Sequence, residues 1–204
     1  MNERKIHTEE CIAKIILEEC FGDMYENIFH SDKPDLESDA RNVEVTTICE
    51  HCDIFGHRIK YPRRYIKREA ENGVSITKPI NDSHSVGEFI AEAVNHKLYK
   101  QYGTQKPIDL FIYCMDNYLI RDFTDEEYLQ MISDMRDLVN KGSYSFDYIY
   151  IQTMSADDNK LAYNVIAIDL AAGTFKRFPY DMDHILKIFV EKYFDNHNGY
   201  SQEL

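Results

Sequence analysis

The run Ile108-Asp109-Leu110-Phe111-Ile112-Tyr113-Cys114 limits the fold more tightly than any other stretch. Near-continuous apolar composition is what a strand covered on both faces carries, whereas a strand with one wet face alternates. Cover of that kind comes from helices, and helical patterns flank the run. Before it, Phe89, Ile90, Ala93, Val94, Lys97 and Leu98 follow a period near 3.6, opened by Ser85 with Glu88 three residues on and ended by Gly103 and Pro107. After it, Thr124-Asp125-Glu126-Glu127 is a second capping box. It opens a helix to about Asn140, with Tyr128, Met131, Ile132, Met135 and Leu138 on one face.

The rest of the chain extends this alternation. A helix is expected from Thr8, as N-cap, to Phe21, on Cys11, Ile12, Ile15, Ile16 and Cys20, with Gly22 at its stop. Asp35 to Ala40 reads as a turn and Asn42 to Cys49 as a strand. Tyr148–Ile151, Leu161–Leu170 and Phe175–Phe178 read as further strands, and Ile185–Phe194 as a closing helix. The pattern predicts an α/β sandwich around a mixed sheet. A chain of 204 residues is expected to form a single domain, with a basic insertion that resists reading at about 51–82.

Charge narrows the function. The net charge of −13 argues against a broad nucleic-acid surface, because phosphate binding needs Lys and Arg to replace counterions. The exception is local. Arg58, Lys60, Arg63, Arg64, Lys67 and Arg68 fall in one stretch without an acid, interleaved with Tyr61 and Tyr65. Such a strip can grip a backbone and stack on bases, or can be a solvated face. No apolar run approaches the ~18 residues of a membrane span. The N-terminus leads into an amphipathic pattern, and the five cysteines are an odd number. Those features predict a cytoplasmic protein with reduced thiols and no membrane partner. Phosphate-binding glycine loops and a serine nucleophile elbow are absent from the sequence, which removes support for nucleotide hydrolysis, dinucleotide redox and serine-hydrolase chemistry.

Two acids carry the chemical interest. Asp35 follows Pro34, and Glu44 lies inside the β-branched run Val43-Glu44-Val45-Thr46. Facing each other across a hairpin, they can share one Mg²⁺ or Mn²⁺, which keeps several waters and needs only one or two carboxylates. Each also has a plainer reading. Pro-Asp is common in turns, and period-2 alternation would point Glu44 to solvent while Val43 and Val45 point inward. Cys49, Cys52 and His57 have zinc-compatible spacing, but a structural zinc draws on two such pairs and one is present, so zinc is not expected.

Taken in order, the first helix, Asp32-Lys33-Pro34-Asp35, Val43-Glu44-Val45-Thr46, the helix bearing Lys97 and Lys100, and Ile108–Tyr113 resemble the PD-(D/E)xK nucleases of the restriction-endonuclease-like superfamily. The likeness is nearest to a bacterial and phage branch whose second motif reads Glu-Val-Thr. It covers roughly residues 8–55 and 84–155. The resemblance implies a restriction-endonuclease-like α/β/α sandwich with a central mixed sheet, and metal-dependent endonuclease hydrolysis of DNA, or else RNA, in a phage, mobile-element or defence setting. By position it makes Asp35 and Glu44 catalytic metal ligands and gives the backbone carbonyl of Val45 a place in the metal shell. It offers Glu19, then Glu18, as an added acid from the first helix. The motif lysine has no counterpart, because Thr46 stands there. Lys97 is the expected replacement and Lys100 the second, with Lys100 also a contact for nucleic acid. A homodimer fits enzymes that cut two strands. The missing lysine and the acidic charge also fit a different class: a catalytically inactive nuclease-fold interaction protein, either an acidic inhibitor or immunity-type partner or a nucleic-acid-binding module.

Overall fold

The computed structural model describes residues 6–48, 51–54, 57–60, 90, 93–97, 100, 102, 104–114, 124–141, 146–157 and 160–193. Helix α1 spans Thr8–Phe21. Strands β1 (Phe29–His30), β2 (Leu36–Glu37) and β3 (Asn42–Ile48) follow, then β4 (His51–Ile54) and β5 (His57–Lys60). Residues 93–97 are helical. Strand β6 (Ile108–Cys114), helix α2 (Asp125–Lys141), strands β7 (Tyr148–Asp157), β8 (Lys160–Asp169) and β9 (Thr174–Tyr180), and helix α3 (Met182–Tyr193) complete the order.

Seven strands form one mixed sheet in the order β1-β2-β3-β6-β7-β8-β9. Its centre is parallel: β6 lies between β3 and β7 and runs with both. The flanking pairs are antiparallel. Parallel strands require crossovers, and here the segment holding 93–97 links β3 to β6 and α2 links β6 to β7. Among the described residues, strands β4 and β5 pair with each other alone, in a second sheet within the stretch read as an insertion.

The sheet separates two apolar cores. On one face Ile90, Ala93 and Val94 join Tyr128, Met131, Ile132 and Met135 of α2 over Ile48, Leu110, Ile112, Ile149, Ile151, Ile166 and Ile168. On the other, Ile12, Ala13, Ile15, Ile16 and Leu17 of α1 and Ile185 of α3 cover Val43, Val45, Phe111, Tyr150 and Val165. Strand β6 contributes Leu110 to one core and Phe111 to the other, as its composition predicts.

Local signals explain most element ends. Thr124 and Glu127 make both bonds of a capping box: the Thr124 N–H donates to Glu127 Oε2 at 2.8 Å, and the Glu127 N–H to Thr124 Oγ1 at 3.3 Å. Gly173 takes φ of +68° in the turn between β8 and β9, where its N–H donates to the Asp169 carbonyl at 2.9 Å. Two expectations change. His7, not Thr8, is the N-cap of α1; it is extended and makes no side-chain cap bond, and Thr8 is already helical. Leu36 and Glu37, read as part of a turn, form β2, because pairing with Val43 and Asn42 captures them. The Ser85–Glu88 capping box and Gly103 lie outside the described residues.

Candidate functional site

Glu44 is the third residue of β3, and its backbone pairs with Leu110. Neighbours along a strand point to opposite faces, so Val43 and Val45 enter the α1 core while Glu44 faces the side of residues 93–97. Glu44 is therefore not solvent-facing, as simple alternation would have it. Both faces of β3 are covered, and Glu44 is 2% exposed. A carboxylate so placed needs partners. Lys97 Nζ donates to Glu44 Oε1, and Lys100 Nζ donates to the same oxygen at 2.6 Å. Lys97 Nζ also donates to the Val45 carbonyl oxygen at 3.2 Å.

The backbone brings both ammonium groups to one place. Lys97 is the last described residue of the helical stretch 93–97, and the Lys100 N–H donates to the Lys97 carbonyl at 3.2 Å. That closes a turn and puts two lysines three residues apart on one side. Lys97 is nearly covered, and Lys100 keeps 46% of its side chain exposed. Burial pulls the Lys97 ammonium below the ordinary lysine range, against the pull of Glu44. Burial acts the same way on Lys100, but there the hydrogen bond and charge of Glu44 prevail and hold it above that range.

Asp35 completes the cluster. The Leu36–Val43 pair fixes the register of β2 on β3, and Asp35 and Glu44 each lie one step beyond it. Asp35 Oδ2 accepts the Val45 N–H at 2.8 Å. The charge of Asp35 also helps raise Lys100. Asp35, Glu44, Val45, Lys97 and Lys100 thus meet at the edge of the parallel centre, around the backbone of Val45.

Glu19 is not among them. It is on α1, across the sheet, where its carboxylate lies 3.4 Å from His184 Nε2 of α3. Glu18 pairs with Lys14 at 2.5 Å and Lys192 at 3.0 Å on the same side. Helix α1 packs against the face to which Val45 points, and that places both glutamates on the wrong side of β3 for Glu44. Arg58 and Lys60 lie on β5, in register with Asp53 and His51. Arg63, Arg64, Lys67, Arg68, Tyr61 and Tyr65 lie outside the described residues, as does Cys49 of the zinc-like pattern. Cys52 and His57 lie on β4 and β5.

A second charged cluster has a milder sequence signal, an acid inside an apolar run. Asp109 of β6 is 0% exposed. Arg41 grips it with two bonds, Nε to Oδ2 at 2.6 Å and Nη2 to Oδ1 at 2.7 Å. The Tyr25 hydroxyl donates to Oδ2 at 2.6 Å and the Tyr148 N–H to Oδ1 at 3.0 Å. Arg41 also reaches Asp147 at 3.0 Å and lies over the Tyr148 ring, 5.2 Å from its centroid. Burial pushes the Asp109 carboxyl up, opposed by Arg41 and Tyr25.

Metal chemistry can be weighed on the donors themselves. Two carboxylates and a backbone carbonyl are hard oxygen donors of the kind Mg²⁺ and Mn²⁺ take, with water filling the remaining positions. Among the described residues no group of three or more His, Cys, Asp and Glu side chains is placed to hold a metal. Among the described residues, an ion at Glu44 would draw on Asp35, Glu44 and the Val45 carbonyl. Those three fit a hard divalent cation in kind and number, and Lys97 holds two of them.

The fold and this cluster define an α/β protein with a mixed seven-stranded sheet and a part-buried acid–lysine cluster on β3. No helix among the described residues is long and apolar enough to cross a membrane. No protein-family model matches the chain, and neither does any curated protein.

Proposed function

We propose that the chain is a metal-dependent nuclease that hydrolyses phosphodiester bonds, in DNA ahead of RNA, at Asp35, Glu44 and Lys97. The observation that carries this reading is the meeting of Lys97 Nζ with both Glu44 Oε1 and the Val45 carbonyl. A lysine 53 residues away in sequence supplies the cation that Thr46 lacks. The parallel centre of the sheet also agrees with the sandwich that the sequence resemblance implies.

Each residue has a task. Asp35, Glu44 and the Val45 carbonyl would hold a divalent cation, and the Val45 N–H fixes the Asp35 carboxylate. When bound, Mg²⁺ or Mn²⁺ supplies polarisation of the phosphate and a more acidic water. Lys97 orients the attacking water and balances charge that develops on the phosphate. Lys100 keeps Glu44 paired and, being half exposed, meets the incoming backbone. The basic stretch from Arg58 to Arg68 adds non-specific grip on phosphates.

The test is cleavage of single- and double-stranded DNA and RNA with Mg²⁺ or Mn²⁺. Wild type should cut at least one form, and Asp35→Ala and Glu44→Ala should not. Absence of cleavage on every form, with no metal binding by calorimetry, would overturn the reading.

A second reading has its own observation. Two ammonium groups on Glu44 and the nearby Asp35 already sum to zero charge, and a neutral, part-buried cluster can simply hold a fold together. On that reading the chain is an inactive nuclease-fold interaction protein, and its charge of −13 suits a basic partner. It predicts that Glu44→Ala lowers stability while wild type neither cuts nor binds metal.

A further inference from the structure

We propose, on the basis of the metal-site reading above, that Lys97 is a built-in stand-in for the divalent cation: its ammonium bridges Glu44 Oε1 and the Val45 carbonyl when no metal is bound, and it vacates both atoms on metal binding. The geometry is direct. Lys97 Nζ donates to the side-chain oxygen and to the backbone oxygen that a metal in this cluster would use. Lone pairs engaged by an ammonium are not available to a second cation at the same position.

Charge gives the same answer. Asp35 and Glu44 carry two negative charges, and Lys97 and Lys100 carry two positive ones. A divalent ion added to that intact set would leave an excess of two positive charges around a carboxylate that is 2% exposed. Removing one ammonium from contact halves that excess. Lys97 is the one that must go, because Lys97 alone of the two is bonded to the Val45 carbonyl among the contacts described. Its departure does not strand Glu44, since Lys100 holds the same oxygen at 2.6 Å.

The lysine side chain suits this exchange. Its charge is a point on a flexible four-carbon stem, so the tip can swing while the helix stays in place. A released Lys97 remains tethered beside the site, within reach of a substrate phosphate. The same side chain would then close the site without metal and act on the phosphate with it.

The consequence runs against the usual expectation for a site residue. Lys97→Met should bind Mn²⁺ more tightly than wild type, by about tenfold or more, because a competing unit charge at contact distance is gone. Lys100→Met should change affinity less, because Lys97 still occupies the Val45 carbonyl. Calorimetric titration of the full chain with Mn²⁺ alone measures this, and equal or weaker binding by Lys97→Met would overturn the proposal. If that variant does not fold, wild type still decides it. Acetylation by a soluble anhydride, followed residue by residue by mass spectrometry, should speed up several-fold at Lys97 when Mg²⁺ is added. Lys187, whose side chain is 73% exposed, serves as the reference. An unchanged Lys97 rate would overturn the proposal. Cleavage by wild type without tighter binding in Lys97→Met removes this proposal and keeps the nuclease reading. Tighter binding without any cleavage supports this proposal and keeps the metal site while removing hydrolysis from the reading, and no metal binding by either form, with no cleavage, overturns both.

Discussion

Glu44 and Asp109 lie on neighbouring strands, at 2% and 0% exposure, and are held by different chemistry. Asp109 meets a planar guanidinium through two bonds, a phenol and a backbone N–H, with both carboxylate oxygens used twice. Glu44 meets two ammonium groups on one oxygen. The first arrangement is directional and saturated, as Arg forks allow. The second uses point charges on flexible stems, and one stem is half exposed. Burial costs both carboxylates a great deal, so both must be paired. Only the lysine-held one can be reopened without dismantling its surroundings. Asp109 therefore reads as a clasp between β6, β7 and the segment before β3, and Glu44 as the centre of the proposed site.

The sharpest way to break that contrast is Asp109→Ala. It removes the buried partner that Arg41 and Tyr25 share and should cost about 3–5 kcal/mol, read from urea unfolding. A loss near zero would remove the clasp reading. Next, Glu44→Gln should cost only about 1–2 kcal/mol by the same measurement, because the amide oxygen and the Val45 carbonyl still accept from Lys97 and Lys100 can turn to water. It should nonetheless lower cleavage at least about 100-fold. A variant as unstable as Asp109→Ala would make the two clusters alike and weaken the case for a site. Arg41→Lys keeps the charge and loses the fork, and about 1–2 kcal/mol should be lost with cleavage by the folded fraction unchanged.

The smallest effect at neutral pH is Tyr25→Phe, about 1 kcal/mol: the buried hydroxyl shared with Asp109 and Tyr150 goes, while Asp109 keeps its bonds from Arg41 and Tyr148. It carries a pH signature. Burial, and then the charge of Asp109, push the Tyr25 phenol well above its ordinary value of 10.0. The folded state thus holds this proton more tightly than the unfolded chain. The resulting stability is fully present below pH about 10 and is lost as pH rises above it. Unfolding series between pH 8 and pH 11 should show wild type losing stability more steeply than Tyr25→Phe at the alkaline end. Parallel curves would show that Tyr25 does not couple the clasp to pH.

Much of this architecture was legible because it is local. The spacing of Ile12, Ile15 and Ile16 predicts α1, and the paired bonds of Thr124 and Glu127 follow directly from their positions. The apolar run at 108–114 matches β6 residue for residue. The failures are non-local. Two residues cannot show a period, so Leu36 and Glu37 become a strand only through β3. Glu19 looked available because a sequence says nothing of which face of the sheet α1 covers. Alternation suggested a wet Glu44, and the suggestion failed because helices cover both faces of β3. The Asp109 clasp joins Tyr25, Arg41 and Tyr148 across up to 84 residues of separation, which no spacing rule detects.

The sequence by itself determined the α/β class, the two-sided burial of β6 and the residue types available for chemistry, since composition and period act over one or two turns of chain. Tertiary structure decided which acids are buried and which cations reach them. Register placed Asp35 and Glu44 one step beyond the Leu36–Val43 pair, and the crossover from β3 to β6 carried Lys97 back over Glu44. Those are long-range closures, and their physical cause is the cost of an unpaired charge in a dry core, a cost that exists only once the sheet is covered.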